Sequence, residues 1–530
     1  MLSFYIVITL LAGINVLFEL KRDLMMFQQN SYRNERYSKW LKASHDTTSM
    51  WRLGAMILFF MSLTGFGLEI VALPLIGLYS GAHAGVLALR KYKLPLVWTK
   101  RAIRIYSVCI ALVTVVCGCA MILFNDGSLD SYVKLAAIAL IACYCCSHMI
   151  MMLANILLSP VEKAINRRYY NDAAKILSSM PDLKIVGITG SYGKTSTKHY
   201  LHRILSEEYD TLMTPGNFNT TLGVIRTVRE HLKPYNQVFI VEMGAKQLGD
   251  IKEICDLVHP EIGIVTAVGP QHLESFKSIE NIQKTKFELI DALPSDGLAV
   301  VNNDFELIEK RQVDNTSCLR YAVKTPVNAM LTAENISYSA SGTDFTVKSS
   351  DGWSMDLHTR LVGECNISNL IAAVAVARHL GVDDEKIRYA VGEIQQVEHR
   401  LSIRRGPGGV VIIDDAYNSN PVGSAMALDV LSGMTGGRRI VVTPGMIELG
   451  DRTYELNRTF GEKIAASADI AIIVGRYNRD AIMEGIRSKN MQAENIFTVD
   501  TFADAQKLLS STLKSGDIVL YENDLPDTFK

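Results

Sequence analysis

Residues 53–89 form a 37-residue stretch whose only formal charge is Glu69. As one helix it would be nearly two bilayers long, at about 1.5 Å per residue. Pro74 and Gly77 lie near its middle and predict a tight hairpin of two spans. Residues 1–18 carry no charge, and no small-residue cleavage site follows, which predicts an anchor and not a cleaved signal peptide. Residues 105–124 and 135–158 add two further apolar runs. The expectation is an N-terminal α-helical membrane bundle of five spans over 1–160.

Loop charges orient that bundle. Residues 21–52 carry seven Lys/Arg against three acids, and 90–104 carry six Lys/Arg and no acid. Residues 125–132 carry two acids and no base. The bias of basic loops toward the cytoplasm puts the N-terminus outside and everything after Leu158 inside. The expected location is the cytoplasmic membrane of a bacterial cell, multi-pass, in contact with membrane lipid. Glu69 and His148 fall inside apolar runs, where ionisable groups are often functional. An interfacial place for Glu69 and a neutral, packed His148 are the plainer alternatives.

Composition excludes some functions. The formal net charge is −1, so there is no basic surface that calls for nucleic acid. The nine cysteines lack zinc-type CxxC pairing, and six of them lie in apolar runs, which fits small packing residues and reduced thiols.

From 161 the pattern changes. Residues 161–182 mix basic and apolar residues and read as a helix and linker leaving the membrane surface. Beyond them, "KIVGITG", "QVFIVEMG" and "IGIVTAVG" read as buried strands that alternate with helices, which predicts a mostly parallel sheet. Residues 330–362 alternate as antiparallel strands do, and 366–380 read as an Ala-rich helix. A second, Rossmann-like α/β unit begins near Gly409 with "GVVIIDDAYN", "RRIVVTPG", "IAIIVG" and "DIVLYE". The expected boundaries are 183–397 for a central ATP-binding domain and 398–530 for a C-terminal domain.

The chemistry concentrates at "VGITGSYGKTSTKHYL", 186–201. Gly187, Gly190 and Gly193 lead into Lys194, Thr195 and Ser196 between a strand and a helix. Such a loop turns backbone N–H groups, Ser191 included, toward phosphates. Lys194 would reach the terminal phosphates, and Thr195 would offer its hydroxyl to Mg2+.

"ITGSYGKTST" resembles the ATP loop of the Mur ligases, and further segments match that family in order. They are "GNFNTTLGV", "VEMGAKQLGDI", "GPQHLESFKSIENIQKTKFEL", "GECNISNLIAAVAVA", "EHRL", "DDAYNSNP" and "GMIELGD", which extend the likeness from about 183 to 475. "DDAYNSNP" and "GMIELGD" look most like the branch that adds D-alanyl-D-alanine. The resemblance implies an ATP-dependent, ADP-forming amide ligase of cell-wall precursor synthesis that works through an acyl phosphate. It implies Glu242 and His272 as ligands to magnesium, with two ions expected. It also implies a CO2-carbamylated lysine beside the metal; "KTKFEL" offers Lys284 and Lys286, and the spacing before "EL" favours Lys286. Asn303, Asn366, Asn369 and Asp415 would line the nucleotide, with Asp304 beside Asn303, and Arg400 would reach the terminal phosphate. Asn217, Asn219 and Thr220 would lie near the acceptor, and Asn418 and Asn420 near the amine.

Departures from the family bear on the substrate. Family members carry a uridine-binding N-terminal domain, and the 23 residues of 161–183 are too short for one. The bundle stands in that place, which suggests a lipid-linked acceptor. Cys365, Asn457 and the end "YENDLPDTFK" replace a His, a His and a Lys-Gly-Ser segment. They leave the amine open between D-alanyl-D-alanine, another amino acid and a short peptide. A ligase for another envelope polymer is the nearest alternative, and other envelope-synthesis proteins are candidate partners. An ATP-driven transporter or flippase is the alternative from another class.

Overall fold

The computed structural model describes residues 2–64, 68–92, 94–124, 127–325, 327–339, 342–397, 400–416 and 419–524. It divides into two compact units that meet in sequence at Arg167 and Arg168.

The first unit is helical: α1 (Leu2–Gln29), α2 (Asn34–Ala43), α3 (Met50–Leu63), α4 (Leu68–Leu89), α5 (Lys100–Phe124), α6 (Leu129–Cys145) and the start of α7 (Ser147–Ser178). α1, α4 from Ile70, α5 and α7 are long and apolar enough to cross a membrane, whereas α3 is shorter. Two expectations need correction. The break in the 53–89 run falls between Leu63 and Leu68, and Pro74 sits inside α4. A proline interior to an apolar helix costs one backbone hydrogen bond, which packed neighbours can absorb. The 135–158 run is likewise two helices, split at Cys146, and 161–178 is the second half of α7 and not a separate helix.

α1 turns apolar residues outward and buries three polar residues within a largely apolar inner face. Val7, Leu10, Ile14 and Leu17 are exposed, whereas Asn15, Glu19 and Asp23 are buried. α4 and α6 run parallel to α1. Ile8, Leu11 and Asn15 meet Gly77, Gly81 and His83, and Thr9 and Gly13 meet Val133 and Leu140.

The buried acids converge on Arg52. Its Nη2 donates to Glu19 Oε1 (2.7 Å) and Asp46 Oδ2 (3.3 Å). Its Nη1 donates to the carbonyls of Tyr144 (3.0 Å) and Cys145 (3.3 Å) and to Ser147 Oγ (3.1 Å). The guanidinium thus satisfies carbonyls freed where α6 ends, and this fixes the break. Arg22 binds Asp46 and Glu19, and Ser147 Oγ donates to Asp23 Oδ2 at 2.5 Å. His148 begins α7 with Nδ1 lacking a hydrogen-bond partner; the Glu69 side chain lies outside the described residues.

The second unit has two sheets. β1 (Lys184–Thr189), β2 (Thr211–Met213), β3 (Val238–Glu242), β4 (Ile262–Val265), β5 (Leu298–Asn302), β6 (Ser317–Ala322), β7 (Leu331–Ser339), β8 (Gly342–Ser349) and β9 (Ser354–Thr359) pair in the order β2-β3-β1-β4-β5-β6-β7-β8-β9. Pairings are parallel through β7 and antiparallel across β7-β8-β9, as the alternation at 330–362 predicts. Helices Lys194–Leu205 and Glu364–His379 cover one face through Leu201, Ile204, Ile367 and Leu370. Helices Thr221–Glu230, Asp250–Val258 and Ile279–Asp291 cover the other through Val224, Ile251 and Phe287. Burial on both faces explains why these strands are continuous apolar runs.

β10 (Ser402–Arg405), β11 (Val411–Asp415), β12 (Arg439–Thr443), β13 (Ile470–Val474), β14 (Ile496–Val499) and β15 (Ile518–Glu522) form the second sheet, in the order β10-β11-β15-β12-β13-β14. Only β10 is antiparallel.

Candidate active site

The phosphate loop joins the C-terminal end of β1 to the helix Lys194–Leu205. Gly190 and Gly193 take φ of 150° and 80°, and any side chain there would strike Thr266 Oγ1 or Asn369 Oδ1. Only glycine fits, and the backbone is left bare toward a ligand. Ser191 is a strut: its N–H donates to Ala267 O (2.7 Å), and its Oγ donates to Gly269 O (3.0 Å). Lys194 Nζ donates to Gly190 O at 2.6 Å. Loss of hydration lowers its pKa to about 8 against the opposing pull of Glu242. Ser196 is buried in the first turn of the helix.

Glu242 ends β3 beside that loop. Its Oε1 accepts from Thr195 Oγ1 (3.2 Å) and Asn219 Nδ2 (3.0 Å). Its Oε2 lies 3.1 Å from Lys198 Nζ, outside hydrogen-bonding geometry, and is a buried acceptor without a donor. Burial raises the Glu242 carboxyl, but the charges of Lys198 and Lys194 prevail and its pKa is lowered. Lys198 was not singled out from sequence. It is fully buried and donates to Thr214 O (2.8 Å) and Gly216 O (2.7 Å), which anchors the segment leading to Asn217. Its only sequence signal is a second lysine one turn after Lys194.

Lys286 lies in the helix Ile279–Asp291, 2% exposed, whereas Lys284 is exposed. Lys286 makes no hydrogen bond or ion pair among the described residues and lies 5.9 Å from the Phe276 ring. Burial and the charge of Lys194 hold its pKa well below the ordinary lysine value, which favours the uncharged amine. His272 sits at φ 53° with Nδ1 bonded to Glu448 Oε2, and burial lowers its pKa.

Magnesium fits these donors. A carboxylate oxygen with no hydrogen-bond donor among the described residues, a threonine hydroxyl, an imidazole bonded through Nδ1 and a buried amine held below its ordinary pKa are the donors present. Bound there, the ion would neutralise phosphate charge during transfer.

Other candidates have structural partners. Asn303 spans Val327 O (2.8 Å) and Arg320 Nη1 (3.1 Å), and Asp304 accepts from the N–H groups of Val323, Lys324 and Thr325. Asn366 spans Tyr200 OH and Val362 O, both at 2.8 Å. Asn369 Oδ1 accepts from Thr197 Oγ1, which leaves its amide nitrogen uncommitted. Thr220 and Asn420 are helix N-caps for Gly223 and Gly423. The charge of Arg400 acts on both Lys194 and Asp415. Asp415 accepts Leu401 N–H, and burial raises its pKa to about 6. It pairs in register with Glu522, whose Oε1 accepts from Ser419 Oγ (2.7 Å) and whose Oε2 has no partner. Asn457 binds Met446 N–H and O and so shapes the "GMIELGD" loop. Asn418 lies outside the described residues.

Comparison with known proteins agrees with this geometry. Residues 188–377 match the Mur ligase middle domain, and 399–521 match the Mur ligase glutamate ligase domain. The UDP-N-acetylmuramoyl-tripeptide–D-alanyl-D-alanine ligase of Escherichia coli is 32% identical over 307 residues, 57% of this chain and 67% of that protein. The Bacillus subtilis enzyme of the same name is 28% identical over 341 residues, 64% and 72% of the two chains. Among solved structures, MurF from Acinetobacter baumannii superposes with a TM-score of 0.61 at 27% identity, covering 67% of this chain and 77% of that one. MurF ligase from Thermotoga maritima, in complex with ADP, gives 0.60 at 25% identity over 68% and 80%. With a phosphate loop and an acidic strand end at the C-terminal ends of the paired strands β1 and β3, and a buried lysine that feels the charge of Lys194, the chain belongs to the Mur ligase family of ATP-dependent, ADP-forming ligases.

Proposed function

We propose that this ligase is a membrane-anchored enzyme that joins the amine of D-alanyl-D-alanine, or of a related amino acid or short peptide, to a carboxylate of a cell-wall precursor. The observation that carries the chemistry is Lys286, a buried amine that makes no hydrogen bond or ion pair among the described residues and feels the charge of Lys194. Burial that favours the uncharged amine leaves it open to carbamylation by CO2, which would convert it to an anion beside the cation site.

In this reading the acceptor carboxylate attacks the γ-phosphorus of ATP, and ADP departs. The amine then attacks the acyl carbon, loses a proton and releases phosphate. Lys194 and the loop N–H groups neutralise the transferring phosphoryl group, and Arg400 approaches it from the far side. Asn217, Asn219 and Thr220 border the acceptor; Asn418 and Asn420 border the amine.

Membrane anchoring rests on the outer face of α1, where Val7, Leu10, Ile14 and Leu17 are exposed, which suits a lipid solvent. α1, α4 from Ile70, α5 and α7 are each long and apolar enough to cross a membrane, and the loops at 21–52 and 90–104 carry the basic excess expected on the cytoplasmic side. Only five residues separate α7 from β1, so no uridine-binding domain intervenes, and a lipid-linked acceptor replaces the soluble one.

The test is detergent-purified protein with ATP, Mg2+, D-alanyl-D-alanine and amino acids. Uridine-linked and lipid-linked precursors are supplied separately and products are read by mass. Mass added to the lipid-linked precursor alone is expected. Addition to the soluble precursor alone overturns the lipid reading, and ATP consumption without product in either overturns the acceptor class.

A further inference from the structure

We propose that Glu448 is a positioning residue for His272 and makes the cation site depend on the seating of the C-terminal segment. The inference rests on the ligase reading above.

His272 and Glu448 belong to the two separately matched segments, 188–377 and 399–521. The contact is built from both sides. Glu448 takes φ 61° and His272 φ 53°, left-handed conformations that cost energy in residues other than glycine. Glu448 O accepts from Glu274 N–H at 3.3 Å, so the backbones are joined as well as the side chains. Gly450 lies flat against Glu274. Behind it, Asn457 holds Met446 by N–H and O, two residues before Glu448. Lys246 Nζ lies 3.6 Å from the second Glu448 oxygen and supplies counter-charge.

The chemistry follows from the imidazole. An ionised carboxylate only accepts, so Nδ1 carries the proton and Nε2 keeps its lone pair. A carboxylate behind a metal-bound histidine fixes ring orientation and raises basicity, and its loss typically weakens metal binding 10–100-fold. Here that carboxylate comes from the other matched segment. When the "GMIELGD" loop leaves, His272 loses both its orientation and its tautomer.

The experiment titrates Mn2+ by electron paramagnetic resonance against full-length protein with ADP in detergent. Wild type, Glu448→Ala, Glu448→Gln and Glu448→Asp are compared, with melting temperature and metal-free ADP affinity as companions. We expect Mn2+ affinity to fall about 10–100-fold in Glu448→Ala, less in Glu448→Asp, with metal-free ADP affinity unchanged. Should Glu448→Ala misfold, the near-isosteric Glu448→Gln decides. Affinities within threefold of wild type in folded variants overturn the proposal and leave the ligase reading intact. A wild type that binds no Mn2+ with ADP overturns both.

Discussion

Lys198 Nζ lies 3.1 Å from Glu242 Oε2, with both side chains shut away from water. The pair joins the phosphate-loop helix to the end of β3. Lys198→Met removes the counter-charge and leaves a buried carboxylate, at a cost of about 3–5 kcal/mol. Thermal unfolding should show a melting temperature lower by about 5–10 °C. Mg2+ with ADP should restore more stability in the variant than it adds to wild type, because the ion replaces the lost charge. An equal gain in both proteins would remove Glu242 from the cation site.

Lys286 should carry a carbamate. Incubation with 13C-bicarbonate should give a carbamate carbon resonance that is lost in Lys286→Met and kept in Lys284→Met. Turnover in Lys286→Met should fall by at least about 100-fold. A resonance that survives Lys286→Met would assign the modification elsewhere.

Asp415 and Glu522 face each other across β11 and β15, and burial raises both carboxyls, Asp415 to about 6 and Glu522 well above the usual range. A raised carboxyl binds its proton more tightly when folded. The stability it contributes is full below the unfolded value near 4 and is lost as pH rises through the folded value, about 6 for Asp415. Glu522→Gln keeps an acceptor for Ser419 and removes one charge. It should stabilise the protein at pH 7.5 by about 1–3 kcal/mol and flatten the decline between pH 4 and 7. Melting curves across that range check both.

Arg52→Leu in the helical unit leaves Glu19 and Asp23 without their shared guanidinium and frees the carbonyls of Tyr144 and Cys145. A loss of about 3–5 kcal/mol is expected, read as faster proteolysis in detergent. Arg52→Lys should rescue little, since one ammonium cannot span both groups.

Much of the second unit was legible because its strands are buried on both faces and so read as apolar runs. "KIVGITG" became β1, and "DIVLYE" became β15. β2 and β10, three and four residues long, gave no such pattern. In the first unit, Pro74 was a misleading turn signal, because an apolar helix tolerates it. The break at Cys146 is held by Arg52, 92 residues from Tyr144 in sequence, and no local window contains that information. Within the candidate site, the motifs name Lys194, Glu242 and His272, but the contacts of Glu242 with Lys198 and of His272 with Glu448 are set by tertiary pairing.

The Arg52 cluster also bears on how the first unit can be made. Its charges come from α1, the turn after α2, and α3, and it closes on the start of α7. On α1 itself Glu19 and Asp23 have Arg22 beside them, and Arg52 on α3 supplies a second guanidinium to the same two acids. Three acids then share two guanidinium groups, and the full set of contacts forms only when all of these pieces are present. In a chain without its first helix, Arg52 keeps Asp46 but loses Glu19 and Asp23, so such a chain gives up the centre of the unit's polar core and not merely one of its outer helices.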